Sequence, residues 1–412
     1  MSRLVLKFGG TSVAEPERIG RVADRVAREH RAGHELVVVV SAMGHSTDEL
    51  IALAEAVSPD PQRLHPREFD MLVSAGERIS MALLAMALRV RGVEAISFTG
   101  SQAAILTDGV HTGARIQEVR ATRVRDELAR GRVVIVAGFQ GVSPDKEVTT
   151  LGRGGSDTTA VALAVALGAE RCDIYTDVDG VFTADPRRVP QARRIPELDY
   201  DEVLELAYAG AQVLHPRAVE LGRRFGVPIR VLSSFRDDDE ICTLITRKER
   251  GVEELLLTGL AAEGGYARLV LCGLEGGMRP TATVLSRLAA AGVSVDMVAQ
   301  SDHPSGGRQL QLSVRESDLP RAREVAESLV QELRGDRLEV REGLSRVALV
   351  GTGMHGRPGV YAQTFQALLD EGIEVYGLST SSISIALLIE SAMEERAVNA
   401  LHQAFGLGEN KS

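Results

Sequence analysis

Three cysteines, Cys172, Cys242 and Cys272, are all the chain has. They are far apart, odd in number and without a C-x-x-C pair, so they give neither a disulfide framework nor a thiolate zinc site and read as small apolar residues. No apolar run approaches the ~18 to 20 residues of a membrane span. The N-terminus runs straight into SRLVLKFGGTS with no signal-type apolar segment. The expectation is a cytoplasmic protein with no membrane partner. An excess of basic charge is missing too. Against 57 Asp and Glu stand 47 Lys and Arg, a formal net charge of -10, so there is no broad positive field to hold a nucleic acid. Also absent are a Ser-His-Asp or Cys-His arrangement for covalent catalysis and a Walker A loop.

What is present is length and apolar content: 412 residues, 44% hydrophobic, enough for two or three cores. From Leu4 to about Ile245, short β-branched runs (LVLKF, ELVVVVSA, AISFTG, RVVIVAGF, CDIYTD, IRVLS) alternate with longer Ala-, Leu- and charge-rich segments. Continuous apolar runs suit strands buried on both faces, and the alternation predicts an α/β domain with a largely parallel sheet.

Beyond about residue 246 the pattern changes to an internal duplication. Arg268 to Pro280, RLVLCGLEGGMRP, matches Arg346 to Pro358, RVALVGTGMHGRP, and each copy continues with a helix and two strands. Two β-α-β-β copies predict a pair of small α+β domains. The expected division is a catalytic domain over 1–245, a linker over 246–265, and repeats over 266–340 and 341–412, with the C-terminal segment available to complete the first repeat.

The second copy contains Gly351, Gly353 and Gly356 in G-x-G-x-x-G spacing. A dinucleotide site needs that loop inside a parallel βαβ unit with an acidic residue about 20 positions on. Here a hairpin follows the helix, and Pro358 removes an N–H from its first turn. The loop reads instead as a helix-opening turn whose free N–H groups could meet a ligand's carboxylate.

Three loops in the first half carry chemistry. Lys7-Phe8-Gly9-Gly10-Thr11-Ser12 ends a strand with two glycines and a lysine, a setting for an anion. Thr149 to Thr159, TTLGRGGSDTT, opens a helix that Ser156 or Asp157 is expected to cap, and Arg153 offers a guanidinium to a carboxylate or phosphate. The third, Tyr175 to Arg187, sets acidic residues just past a strand end, where open α/β sheets bind ligands, although Asp179-Gly180 also suits a plain turn and Asp185-Pro186 a loop start. Two anion loops with no covalent nucleophile suggest phosphoryl transfer.

Six stretches in this order, KFGGTSV, SAMGHSTDEL, SAGERIS, TTLGRGGSDTTA, YTDVDGVFTADPR and GAQVLHPRAVE, strongly resemble the aspartate kinases of the amino-acid-kinase superfamily. The resemblance spans essentially the whole chain, and the duplicated half resembles that family's pair of ACT regulatory domains. It implies a mostly parallel sheet sandwiched by helices, followed by two βαββαβ-type domains. It also implies ATP-dependent phosphorylation of the side-chain carboxylate of L-aspartate, with Mg2+ bridging the phosphates and no dedicated protein metal site. By motif position, Lys7 and Asp157 would be catalytic. Phe8, Gly9, Gly10, Ser41, Thr176, Asp177, Phe182, Asp185, Arg187 and Gln212 would join Lys7 around the nucleotide. Thr47, Glu77, Arg153, Gly154, Gly155 and Ser156 would hold aspartate, Arg153 on its α-carboxylate and Glu77 near its ammonium. Glu77 and Asp157 read as ammonium ligands rather than an acid/base pair, because the attacking carboxylate is already ionised near pH 7. His215 reads as a packing or helix-start residue beside Pro216.

The chain departs from the family pattern at Gln212, where many relatives carry lysine, and more so in the regulatory half. The effector loop that commonly reads Asp-x-Pro-Gly is here LEGGMRPTAT, with Gly276 or Met278 at the acid and Glu275 the nearby substitute. Ser301 after Gln300 replaces an amide, Val360-Tyr361 stands where a small threonine is frequent, and Ser382 and Ser384 stand where some relatives carry charges. These changes predict weak or altered inhibition by lysine and threonine, since a lost buried charge partner can abolish effector binding. Residues 246–255 contain no methionine to start a separate small subunit, which favours one polypeptide forming homo-oligomers through its ACT domains. The alternatives are a related amino-acid or carbamate kinase and a sensor with a decayed kinase half; the sensor would show damage in the Lys7 or Arg153 loop, and both are intact.

Overall fold

The computed structural model describes residues 2–211, 213–248, 256–275, 277–302, 307–352, 354 and 359–408. The chain divides into two compact units. The first comprises Met1–Val181, Arg194–Ala207 and Gln212–Arg250; the second comprises Phe182–Arg193, Tyr208–Ala211 and Gly251–Ser412.

The first unit is built on eight strands: β1 (Arg3–Phe8), β2 (Glu35–Val40), β3 (Ala95–Phe98), β6 (Val133–Ala137), β9 (Arg171–Thr176), β10 (Glu197–Asp199), β11 (Ile229–Ser233) and β12 (Cys242–Thr246). Their order is β10-β12-β11-β9-β1-β2-β6-β3, parallel throughout except for the β11/β12 pair. The valine-rich runs behave as two-face-buried strands: Leu36 to Val40 have no exposed surface.

Alternation along β1 sets up the chemistry. Leu4, Leu6 and Phe8 join one core cluster with residues of the helices Pro16–Arg31 and Ala75–Val90. Strand side chains alternate between faces, so Val5 and Lys7 point to the other face, which the helix Gly155–Leu167 covers. That helix is buried along almost its whole length, ends at a left-handed Gly168 (φ 60°), and packs on β1, β2 and β9. The longest apolar helical stretch among the described residues, Pro66–Val90, has the length and composition of a membrane span. It packs instead into this domain, with Leu84 and Leu88 fully buried.

A second, four-stranded sheet, β5 (Ile116–Val119), β4 (Ile105–Thr107), β7 (Gln140–Val142) and β8 (Val148–Thr150) in that order, leads directly into the 149–155 glycine loop.

The second unit contains one antiparallel six-stranded sheet: β14 (Val295–Asp302), β15 (Arg308–Arg315), β13 (Leu256–Leu274), β16 (Arg337–Thr352), β18 (Ser384–Glu390) and β17 (Gly377–Thr380). The two long central strands each serve both repeats. Residues 266–272 of β13 pair with 337–344 of β16, and residues 256–263 pair with 346–352. The first core gathers the helices Arg279–Ala290 and Leu319–Glu332; the second gathers Val360–Asp370 and Glu394–Ala404.

This corrects two expectations. The segment from 256 to 265, expected as linker, is strand, because Leu257 and Leu260 supply apolar side chains to the second core. The C-terminal helix completes the second repeat rather than the first, through Ala397, Val398 and Leu401. Each repeat is thus βαββαβ, and the last strand of the second is drawn from ahead of the first. The segment Phe182–Arg193 packs here too. Ala184 and Val189 enter the second core, and buried Thr183 Oγ1 lies 3.0 Å from His402 Nε2.

Candidate active site

In the first unit β1 has β2 on one side and β9 on the other, so strand order reverses beside it, the place where open α/β sheets form a ligand crevice. The loops at these strand ends are stitched to one another. Gly9 N donates to Tyr175 O (3.2 Å), Ser41 N to Phe8 O (3.1 Å), Gly44 N to Gly10 O (3.0 Å) and Gly138 N to Val40 O (3.0 Å). Gly10 leaves no room for a side chain, since a Cβ would lie 3.0 Å from Ala42 O. It opens the 3-10 turn Gly10–Val13, whose first N–H groups have no earlier carbonyl in the turn to bond.

Lys7 Nζ lies 2.7 Å from Asp157 Oδ1, both side chains 11% exposed. The approach is an ion pair without a directed hydrogen bond at Oδ1. Ser156 abuts Gly138, where a Cβ would come within 2.6 Å of its hydroxyl. The helix they begin is capped differently from the sequence expectation. Its N-cap is Gly154, left-handed at φ 66°, and no side chain closes the end. Ser156 and Asp157 lie inside the first turn, so Asp157 meets the helix dipole favourably while its carboxylate is spent on Lys7.

Gly154 is held from outside by His215, whose ring would be 2.2 Å from a Cβ there. His215 also caps its own helix, Pro216–Phe225, by accepting from Arg217 N (3.4 Å). Burial lowers its pKa from the ordinary 6.5. These contacts make it a packing and capping residue, as its place before Pro216 implies.

Glu77 sits in the first turn of the helix Ala75–Val90 and is 3% exposed. Its Oε1 accepts from Ala42 N (3.2 Å) and its Oε2 has no hydrogen-bond partner. Burial pushes its pKa up to about 7, against the pull of its own and the Ala42 backbone N–H groups. Gly76 allows this approach, because a Cβ there would lie 2.6 Å from Ala42 Cβ. Ser12 Oγ and Glu77 Oε2, both belonging to these motifs, are buried polar atoms with no hydrogen-bond partner among the described residues. Orphans of this kind call for a ligand.

Lys7, Gly9, Gly10, Ser41, Glu77, Ser156 and Asp157 are therefore linked through these loop contacts. Thr47 is half-buried in the first turn of the helix Ser46–Val57. Arg153 is exposed, and its guanidinium pairs with no carboxylate among the described residues. Thr176 ends β9 and donates from Oγ1 to Oδ1 of Asp177, the next residue (3.1 Å). Phe8 is a correction: fully buried and stacked on Tyr175 (centroids 4.6 Å apart), it belongs to the core and presents no side chain to a nucleotide.

Phe182, Asp185 and Arg187 fall in the second unit. There Asp185 accepts from Arg187 N (3.0 Å), Nε (3.0 Å) and Nη2 (2.9 Å), which holds its carboxyl below the usual range. Gln212 and Gly276 lie outside the described residues. Among the effector positions Met278 is exposed, and Gln300 and Ser301 are exposed on the edge strand β14. Gln300 Oε1 accepts from Thr281 Oγ1 (2.5 Å). Ser382 is exposed. Val360 is a further correction: 4% exposed, it belongs to the second core, which leaves Tyr361, 38% exposed, on the outer face. Sequence reasoning missed Asp70 and Arg217, which grip the glycine loop. The available signal was an aspartate in the apolar helical stretch EFDMLVSAGE.

The amino acid kinase family matches residues 2–233 and an ACT domain matches residues 347–405. The chain is 48% identical over 409 residues to an aspartokinase of Geobacillus stearothermophilus, across 99% of this chain and 98% of that one. Two solved structures of E. coli aspartokinase III are similar. The complex with aspartate and ADP (R-state) has a TM-score of 0.81 at 30% identity, over 98% of this chain and 99% of that one. The complex with lysine and aspartate (T-state) has 0.73 at 32%, over 97% and 98%.

Proposed function

The chain belongs to the aspartokinases of the amino acid kinase family and is an aspartate kinase; from that premise we propose how its residues divide the work. A side-chain carboxylate oxygen of L-aspartate attacks the γ-phosphorus of ATP, the bond from that phosphorus to the β,γ-bridging oxygen breaks, and 4-phospho-L-aspartate and ADP leave. No proton moves in this step, because the nucleophile is already ionised. Catalysis then rests on positioning and charge neutralisation.

Lys7 supplies the fixed positive charge at the transferring group, and Asp157, 2.7 Å away, orients it. Gly9, Gly10 and Ser41 border the phosphates, where Gly10, too close to Ala42 O for a side chain, opens a turn with unbonded N–H groups. Thr176 and Asp177 serve the nucleotide by their place in the motif. Magnesium, when bound, neutralises phosphate charge. Among the described residues there is no group of three or more His, Cys, Asp or Glu placed to hold a metal ion.

Arg153, free of a carboxylate partner among the described residues, takes the α-carboxylate of aspartate, with Thr47, Gly154, Gly155 and Ser156 around it. Glu77 takes the α-ammonium. The observation that carries this reading is Glu77 itself: a buried carboxyl with one oxygen unpaired and no ion-pair partner among the described residues is completed by a ligand that brings a cation. A coupled ADP-release assay over a panel of amino acids, with hydroxylamine trapping of the acyl phosphate, tests it. L-aspartate should be the preferred acceptor; preference for glutamate or a carbamate would overturn the substrate assignment.

Regulation by lysine and threonine is proposed to be weak or altered. Exposed Met278 can pair with no ammonium, and Tyr361 occupies the outer face where a small hydroxyl is frequent. Titrating the kinase with lysine and threonine, singly and together, tests this; strong inhibition at low millimolar levels would refute it. Assembly into homo-oligomers through the ACT sheet is supported by its two edge strands, where Val298 and Leu378 are exposed. Light scattering of the purified chain checks it.

A further inference from the structure

Asp70 has no exposed surface and lies outside every motif that marks the active site. Its carboxylate is nevertheless the most heavily used acceptor near the substrate loop. It takes Thr150 Oγ1 (2.6 Å), Thr150 N (3.1 Å), Thr112 N (3.1 Å) and His111 Nδ1 (2.8 Å). Arg217 makes the opposite arrangement on the next residues along, donating to Leu151 O (2.7 Å) and Ala114 O (2.9 Å). A direct backbone bond, Ala114 N to Thr150 O (2.9 Å), lies between the two. Segments 111–114 and 150–151 are thus clamped by a carboxylate that accepts from their N–H groups and a guanidinium that donates to their carbonyls.

What this clamp fixes is the start of the loop that ends in Arg153. Past Leu151 the chain passes through Gly152 (φ 77°) and Gly154 (φ 66°), both left-handed, with Arg153 between them. Glycines leave the backbone free to turn, so Arg153 is aimed by its anchors alone. On the far side the anchor is the His215 ring against Gly154; on the near side it is the clamp.

We propose that Asp70 and Arg217 are positioning residues for the reaction, holding the 149–155 loop so that Arg153 meets the α-carboxylate of the amino-acid substrate. This rests on the assignment of Arg153 given above. A purely structural network would change stability and affect both substrates alike. A positioning role singles out the amino acid and acts through Arg153.

The test is steady-state kinetics of the full chain with aspartate and ATP varied separately, for Asp70→Asn, Arg217→Met, Arg153→Ala and the double variants. An amide at 70 keeps the shape but cannot accept all four bonds. The expected result is a KM for aspartate raised about tenfold or more, with the KM for ATP within about twofold. In the Arg153→Ala background the same substitutions should add little, since neighbours acting through one group are not additive. Should Asp70→Asn fail to fold, Thr150→Val, which removes only the 2.6 Å hydroxyl bond, and Arg217→Met carry the test. Equal changes in both KM values, or full additivity with Arg153→Ala, would overturn the proposal. If the unmodified chain makes no acyl phosphate from aspartate, the substrate assignment falls instead, and the two failures are told apart.

Discussion

Replacing Glu77 by Gln should stabilise the ligand-free protein at alkaline pH while weakening its grip on substrate. The carboxyl is buried with its pKa raised from the ordinary 4.5 to about 7. Below pH about 4.5 folded and unfolded chains both hold the proton, and the residue is neutral to stability. As pH rises from there to about 7 the unfolded chain ionises and the folded one does not, so stability falls; above pH 7 the deficit is constant. A raised pKa of this size corresponds to about 3 kcal/mol as an upper figure. A glutamine keeps the Oε acceptor for Ala42 N and cannot ionise. Urea melts at pH 4.5 and 8.5 should therefore show the two proteins nearly equal at the lower pH and Glu77→Gln more stable at the higher. Bound aspartate reverses the balance, because its ammonium pairs with the ionised carboxylate. The KM for aspartate of the unmodified chain should climb as pH falls below about 7, by up to about tenfold per unit, and that of Glu77→Gln should be high and flat. Parallel stability curves, or a Gln variant less stable at pH 8.5, would refute the reasoning and make Glu77 an ordinary structural residue.

Other outcomes follow from the same geometry. Lys7→Met should lower kcat by about a hundred- to a thousandfold with little effect on the KM for aspartate, as measured by ADP release. Gly154→Ala would set a Cβ 2.2 Å from the His215 ring on a left-handed residue, which should cost about 1–3 kcal/mol in a thermal melt. In the second unit, burial and then neighbouring Arg193 lower the pKa of His402. The unfolded chain therefore takes up the proton first as pH falls below about 6.5, and acid should destabilise this unit. His402→Gln should flatten that dependence in calorimetric scans between pH 5 and 7.5.

The sheet, its order of helices and the duplicated half were legible because hydrophobic period and repeated strings are local signals. The ELVVVV run could only be a doubly buried strand, and the copies at 268 and 346 announced themselves. The loops were legible too, since glycine, lysine and arginine in such spacing have few uses. What was not legible was long-range. The use of 256–263 as the last strand of the second repeat depends on pairing with residues some 90 positions away, as Leu260 does with Leu349. The capping of the 155–167 helix failed as a local inference because Asp157 is drawn to Lys7 and a left-handed Gly154 already ends the loop. Phe8 and Val360 were assigned to ligands by their place in motifs, but strand alternation and helix register turn both into the core. Asp70 stayed hidden because its partners, Thr112 and Thr150, are 42 and 80 residues away.

The central claim is that the site around Lys7 and Glu77 moves a phosphoryl group onto the side-chain carboxylate of L-aspartate. Incubation with ATP, L-aspartate and hydroxylamine, followed by mass spectrometry of the hydroxamate, tests it most directly. The expected product is the side-chain hydroxamate of aspartate, formed one for one with ADP and lost in Lys7→Met. ADP released without hydroxamate, a hydroxamate at the α-carboxylate, or undiminished product from Lys7→Met would contradict it.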